Sequence, residues 1–429
     1  MITVIRNAWI VTQNTGRDIL KGDVVMENDN IISVGGKYNN AADKEIDAEG
    51  DIVMPGLINT HTHVAMAPLK GVCDDLPFDK FLDATSKIDR NRDTCDLEIG
   101  TKLGCMEMMR GGTTTFVDLY YSEDIIARAV QEAGLRGVLC WCCLDEALTT
   151  QRGNPINNCK KFCRTYKNKR KIIPGVGLQG VYVCGEETCL SAKEFSEEND
   201  LPLSLHLSET RTEVNNHKQT TGLRPVEWLN NIGALSPNMI AAHSAWLTMN
   251  EVKIMGKIGM SVSLCAVSNM KLATGGIAPV PELVSNGVNV TIGTDSNSTN
   301  NSLDMFSEMK VAGLFHKFAR WDATVMPAQQ LLDFGTINGA KSIGMSDKLG
   351  SIEIGKYADI IIIDGHAPNM RPLIPGNIVA NLVYSASSLN VKTVFCQGNL
   401  LVEEGKIITL DSEKIMNKSE DIWNKLSTS

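Results

Sequence analysis

Short apolar runs broken by turn residues mark both ends of the chain, and a longer strand–helix alternation fills the middle. At the start, Thr3–Val11, Asp23–Glu27, Ile31–Val34 and Lys44–Asp47 carry β-type patterning, with Gly22, Gly35–Gly36 and Asn39–Asn40 at the reversals. The same texture returns in Ala358–Ile363, Asn390–Cys396, Asn399–Val402 and Lys406–Ile408. Together these predict one small β-sandwich domain built from both chain ends, residues 1–54 and 350–429.

In the middle, the pattern predicts strands over Leu57–His61, Thr114–Asp118, Arg136–Trp141, Ile172–Gly177, Leu203–His206, Met239–His243, Met260–Leu264 and Val288–Gly293. Helical spacing lies between them, as in Asp96–Met109, Ser122–Ala133, Thr188–Glu198, Glu251–Ile258 and Val280–Asn286. Such alternation builds a parallel α/β sheet, and eight strands fit a closed (β/α)8 TIM barrel over residues 55–349. An open, doubly wound sheet gives the same alternation. Chemistry separates the two, because a barrel collects its functional groups at the C-terminal ends of its strands.

Composition narrows the partners. With 429 residues, 43% hydrophobic and 21% charged, the chain has the balance of an ordinary globular protein of more than one domain. A formal net charge of −9 argues against a nucleic-acid partner, which would need clustered Lys and Arg. The basic run Lys160–Lys171 is short and reads as a solvated helix face. No apolar stretch reaches the roughly 18–20 residues of a membrane span. Met1–Ile10 lacks the basic and apolar regions of a secretory signal, so a cytoplasmic location is expected. The twelve cysteines are scattered. Cys140, Cys142 and Cys143 lack a matching second pair, which favours buried thiols over a zinc knuckle.

Candidate chemistry starts at Pro55–His63, where His61 and His63 are two apart on a strand and so point to one face. Neutral imidazoles in that arrangement suit zinc or iron. Taken alone, the pair is equally a polar strand end. Of the seven histidines, His61, His63, His206 and His243 close predicted strands one, five and six, and Asp295 follows strand eight. A lone His206 or His243 would be a satisfied core histidine, and a lone Asp295 a helix cap or turn residue. If the sheet closes, all of them meet at one mouth.

At this point the sequence resembles the amidohydrolase superfamily, and within it the adenosine-type deaminases that act on 5′-methylthioadenosine, S-adenosylhomocysteine and 5′-deoxyadenosine. The resemblance runs through Pro55–His63, Gly71–Phe81, Gly111–Phe116, His206–Glu209, Ala242–Ser244 and Ser268–Leu272. It continues through Gly293–Asp295, Ser302–Met305, Asn338–Lys341 and Gly355–Asp359. It implies that His61, His63, His206 and Asp295 bind one divalent metal ion, zinc ahead of iron, with a position left open for water. Such an ion lowers the pKa of its water toward ~7, giving a hydroxide able to attack C6 of the purine. Asp295 would take the water's proton, His243 would orient the attacking oxygen, and Glu209 would protonate the ring and relay a proton to the leaving amine. Two-metal relatives carry a carboxylated lysine after strand four; Gly175–Gly180 holds no lysine, which points to a single ion.

The chain departs from the family pattern around the substrate. Gln179 stands where a histidine usually meets the purine, and still offers an amide donor and acceptor. Phe81 lies near an expected tryptophan, free either to stack on a base or to fill the core. Asp89 lies near a glutamate that clamps the ribose hydroxyls in relatives. Trp141 occupies the position of an arginine that grips the homocysteine carboxylate, and Arg152 either replaces that contact or caps a surface loop. Neutral 5′-substituted adenosines are therefore the expected substrates. His217, His316 and His366 match no ligand position and read as local structural residues. The resemblance also implies a homo-oligomer. A hydrolase of another heterocycle (guanine, pterin, triazine or cyclic amide) and a non-catalytic scaffold of the same fold are the alternatives.

Overall fold

The computed structural model describes residues 1–149, 151 and 153–427. Among them two sheets form. Eight parallel strands, Leu57–Thr62, Thr113–Tyr120, Arg136–Cys143, Ile172–Leu178, Leu203–Leu207, Met239–His243, Ser261–Leu264 and Asn289–Ile292, pair in chain order. The first and last then meet: the Asp295 N–H donates to the His61 carbonyl at 2.9 Å, and Thr62 bridges Asp295 in parallel register. The barrel is nearly closed, and the open-sheet alternative falls.

Closure needs a small residue at the seam. A Cβ on Gly293 would sit 2.7 Å from the His61 backbone nitrogen and 2.6 Å from Ser263 Oγ, closer than real Cβ contacts come. Inside the barrel, the Thr60 hydroxyl lies 2.7 Å from both Ser263 Oγ and Thr291 Oγ1. These short hydroxyl side chains satisfy one another in a space that water would otherwise have to fill.

The second sheet is mixed and draws nine strands from both chain ends. Its middle is Ile52–Pro55, a strand the sequence pattern did not single out. It runs parallel to Ile2–Val11 and antiparallel to Ile360–Ile363, so it splices the two ends together. Ile5, Ile10, Val24, Met26, Val53, Ile360, Ile362 and Phe395 pack as its core. Arg136, on the third barrel strand, is fully buried and forks onto Asp359, with Nη2 also 3.2 Å from Gln397 Oε1. That ion pair ties the sheet to the barrel. The C-terminal helix Ser412–Ser427 lies on the barrel helix Thr94–Arg110, with Lys425 Nζ 2.8 Å from Asp96 Oδ2.

The helices Asp96–Met109, Ser122–Ala133, Thr188–Glu198, Glu251–Ile258 and Val280–Asn286 all appear, within two residues at each end. The basic run begins on a helix, Pro155–Tyr166. All twelve cysteines are free, and all but Cys95 are buried. No helix among the described residues is long and apolar enough to cross a membrane.

Candidate active site

The strands carry four imidazoles and a carboxylate to one point. His63 Nε2 lies 3.3 Å from Asp295 Oδ1 and 3.2 Å from His206 Nε2, and His61 Nε2 lies 3.8 Å from the same Asp295 oxygen. The His61 ring centroid is 4.9 Å from those of His63 and His206 and 5.5 Å from that of His243. Three of these strand ends leave through left-handed backbone: His243 has φ +67°, Asp295 +63° and Ser208 +50°. Such conformations cost non-glycine residues about 1 kcal/mol or more and cluster at functional sites.

Hydrogen bonds on the far nitrogens fix what the near ones can do. His63 Nδ1 lies 2.6 Å from the Leu119 carbonyl, and His206 Nδ1 lies 2.8 Å from the Gln179 carbonyl. A carbonyl only accepts, so Nδ1 carries the hydrogen and Nε2 presents a lone pair. Two lone pairs facing each other at 3.2 Å repel unless a cation lies between them. His61 sharpens the point, because it is fully buried and neither ring nitrogen has a hydrogen-bond partner among the described residues. Leaving buried polar atoms unpaired costs about 1–3 kcal/mol each. Three imidazole nitrogens and one carboxylate are a donor set that suits a zinc-type divalent ion, so the residues present fit the expected metal. A second grouping, His61, His243 and Cys265, shares His61; the Cys265 thiol attracts no notice in the sequence.

Electrostatics follow burial. Burial holds His61 far below the ordinary imidazole value and, with His63 beside it, pushes His206 down to about 3, keeping both neutral. Burial would raise Asp295, yet the imidazoles of His63 and His243 outweigh it and lower its pKa. Glu209 goes the other way: burial dominates and raises it, against the pull of His243. For His243, burial lowers the pKa, but Glu209 and Asp295 together more than restore it. Its Nε2 stands between those carboxylates, 3.9 Å from Glu209 Oε2 and 4.0 Å from Asp295 Oδ2.

The supporting residues are ones the sequence left without roles. Ser268 Oγ donates to Asp295 Oδ2 at 2.6 Å, and Asn269 Oδ1 holds His243 Nδ1 at 3.2 Å. The Glu213 carboxylate accepts the backbone N–H groups of Ser208 and Glu209 at 3.0 and 2.8 Å, which aims Glu209. That last device was readable, since Thr210-x-x-Glu213 is a capping box and the helix Arg211–Thr221 starts there.

The cluster forms the floor of a cavity of about 440 Å³, within the range of small-molecule sites. Phe81, Asp89, Gln179 and Glu209 lie on its wall as expected. Trp141 does not. Strand alternation turns its indole outward, where it packs on Phe162 and donates Nε1 to Gln151 Oε1 at 2.9 Å, while Cys142 faces the cavity instead. Arg152 lies outside the described residues. The wall also holds Arg90, Tyr120, Gln151 and Tyr182, which the sequence did not flag. Tyr120 ends the second strand and was accessible to the strand-end rule; nothing marked Arg90. His217 packs on Trp228 and His316 faces two carbonyls, both local structural roles, and His366 lies on the surface 3.0 Å from the Glu49 carbonyl.

A barrel with a cation-ready cluster of imidazoles and a carboxylate in its mouth defines a metal-dependent hydrolase. The chain belongs to the amidohydrolase family, whose model matches residues 52–401. It is 36% identical to a 5′-deoxyadenosine deaminase of Methanosarcina barkeri, across 99% of this chain and 98% of that one. It is 34% identical to a 5-methylthioadenosine/S-adenosylhomocysteine deaminase of Thermodesulfovibrio yellowstonii, across 98% and 97%. Among solved structures, a zinc-bound adenosine deaminase from Xanthomonas campestris superposes with a TM-score of 0.95 at 28% identity, covering 100% of this chain and 99% of that one.

Proposed function

We propose that this protein is a metal-dependent aminohydrolase that converts adenine nucleosides with a small neutral 5′ group into their inosine-type products and ammonia. The observation that carries the reading is a buried carboxyl, Glu209, raised toward its neutral form within reach of the cation-ready cluster on the floor of a nucleoside-sized cavity. The names of the relatives point to the same substrates.

His61, His63, His206 and Asp295 would hold one divalent ion, with zinc proposed on the donor set. When bound, the ion supplies the Lewis acidity that makes water a nucleophile near neutral pH. The Asp295 carboxylate accepts the attacking water's proton. Glu209, which burial shifts toward its neutral form, donates to the purine ring nitrogen beside C6, and the added charge on the ring makes C6 electrophilic. His243, whose Nε2 lies between Glu209 and Asp295, donates from that nitrogen to the oxygen joining C6 and stabilises its developing charge. Glu209, left as a carboxylate, takes the remaining O–H proton as C6=O forms and relays it to the amine as the C6–N bond breaks, and the proton held by Asp295 then restores Glu209. Gln179 and Phe81 hold the base, Gln179 through its amide and Phe81 through its ring face.

Substrate preference turns on the outer wall. With Trp141 facing away from the cavity, the argument from a lost arginine no longer decides it. Phe78, Leu82, Leu144, Leu148 and Val183 line the wall, and Arg90 is its one lysine or arginine among the described residues. Arg90 is exposed, and an exposed ion pair contributes only about 0–1 kcal/mol. Burying a small apolar group here gains more, at roughly 0.8 kcal/mol per methylene. The test is a panel of 5′-deoxyadenosine, methylthioadenosine, adenosine and S-adenosylhomocysteine, followed by absorbance and ammonia release. Chelated protein should be inactive and recover with zinc, and kcat/KM should favour the neutral 5′ groups. Activity confined to guanine, pterins or cyclic amides would replace this reading. A folded, metal-free protein inert to the panel would mean a scaffold.

A further inference from the structure

The helix Phe78–Arg90 forms one wall of the cavity, and its last turn is fastened in an unusual way. The Tyr120 hydroxyl donates to Asp89 Oδ1 at 2.5 Å and accepts from Arg92 Nη1 at 2.9 Å. A phenol has one hydrogen to give, so the direction of this chain is fixed: Arg92 to Tyr120 to Asp89. Arg92 is itself wholly buried, 3.5 Å from the same Asp89 oxygen, and its other arm donates to the carbonyl of Ala65, two residues after His63. Tyr121 Oη donates to the Asp89 carbonyl at 3.3 Å, which pins the backbone as well. Among the described residues, the Tyr120 hydroxyl and the Arg92 guanidinium both approach Oδ1, and Asp89 lines the cavity.

Tyr120 follows Leu119, whose carbonyl orients His63, and the Tyr120 ring centroid is 6.1 Å from that of His63. Asp89 is therefore one tyrosine length from the metal-binding cluster. A purine placed with its amine at the cluster would reach across a comparable distance to its sugar. An ionised carboxylate can only accept, and the vicinal hydroxyls of the sugar are the donors a nucleoside offers on that side.

We propose that Tyr120 and Arg92 are positioning residues that aim the Asp89 carboxylate at the vicinal sugar hydroxyls, from the same strand end that orients His63. This rests on the nucleoside reading above, and goes beyond it by assigning the two buried residues that make Asp89 a rigid acceptor. A preorganised acceptor loses little freedom on binding, so loosening it should appear in KM and not in kcat.

The experiment compares Tyr120→Phe with the unaltered enzyme on 5′-deoxyadenosine and on 2′,3′,5′-trideoxyadenosine, with metal content measured alongside. KM for 5′-deoxyadenosine should rise about tenfold, as for a lost hydrogen bond to a charged group, with kcat and metal content unchanged. KM for the trideoxy compound should change less than about twofold. Asp89→Asn should abolish the enzyme's discrimination between the two substrates, and Tyr120→Phe should add nothing on that background. An equal penalty on both substrates, or additive effects in the double variant, overturns the proposal while leaving the deaminase reading intact. So does an unaltered enzyme that turns over both compounds equally well. If it turns over neither, the nucleoside reading falls and takes this proposal with it.

Discussion

At the scale of single residues, the site depends on which groups are kept neutral and which charged. His61 and His206 must be neutral to donate lone pairs, and burial enforces it. Glu209 must carry a proton to give one, and burial again sets the direction. Glu209→Gln keeps the shape and removes only the proton. It is expected to lower kcat by about 10²–10⁴, the usual worth of general acid–base catalysis, while zinc content stays unchanged. Metal analysis beside single-turnover kinetics checks this; loss of metal together with rate would mean that Glu209 serves the cluster instead. The metal-type residues were legible because each closes an apolar strand. Trp141 was misplaced because a one-residue shift along a strand reverses the face a side chain occupies. Ser268 and Asn269 could not be read as supports, since their partners are 26 to 27 residues away.

Elements explain how distant residues arrive together. Eight strands were readable because buried parallel strands are continuous apolar runs bounded by turns. Ile52–Pro55 escaped because it abuts the first barrel strand with only Gly56 between them, so two strands look like one. The helix Phe78–Arg90 escaped for a different reason: its buried residues are only Phe81, Thr85 and Ile88, and Phe78, Phe81, Leu82 and Thr85 line the cavity. A cavity wall leaves a weaker periodic signal than a core. The seam between first and last strands tests the closure directly. At Gly293 an added methyl group would meet the His61 backbone, which cannot swing aside as a side chain can. Gly293→Ala should cost about 1–3 kcal/mol of overpacking and displace His61, so zinc affinity should fall with thermal stability. Unchanged metal affinity by competition with a chelator would show that the seam does not position the ligand.

For the whole molecule, the same burial that tunes the site sets a dependence of stability on pH. Several carboxyls away from the metal-type residues are entirely enclosed. Burial raises Glu308 to about 8 and holds Glu123 well above the usual carboxylate range. Glu308 is a structural knot: it accepts the Val267 N–H at 3.0 Å and the Asn300 amide at 2.9 Å, joining the segment that carries Ser268 and Asn269 to the loop after Asp295. A raised folded-state pKa means that below the ordinary value both folded and unfolded forms hold the proton, and stability is fully present. As pH rises, the unfolded chain ionises first, and stability declines until the folded-state value near 8 is passed. Each tenfold difference in proton affinity is worth about 1.4 kcal/mol, so one such group can contribute several kcal/mol across the window. Tm of the chelated protein should therefore fall between pH about 5 and about 8.5. Glu308→Gln, which has no proton to lose, should flatten that slope, with its Tm nearest that of the unaltered chain at the acid end, where the native carboxyl already holds its proton. A Tm profile for the variant parallel to that of the unaltered chain would exclude Glu308 as the source. The remaining slope would then belong to Glu123 and its neighbour Asp118, which burial raises to about 6.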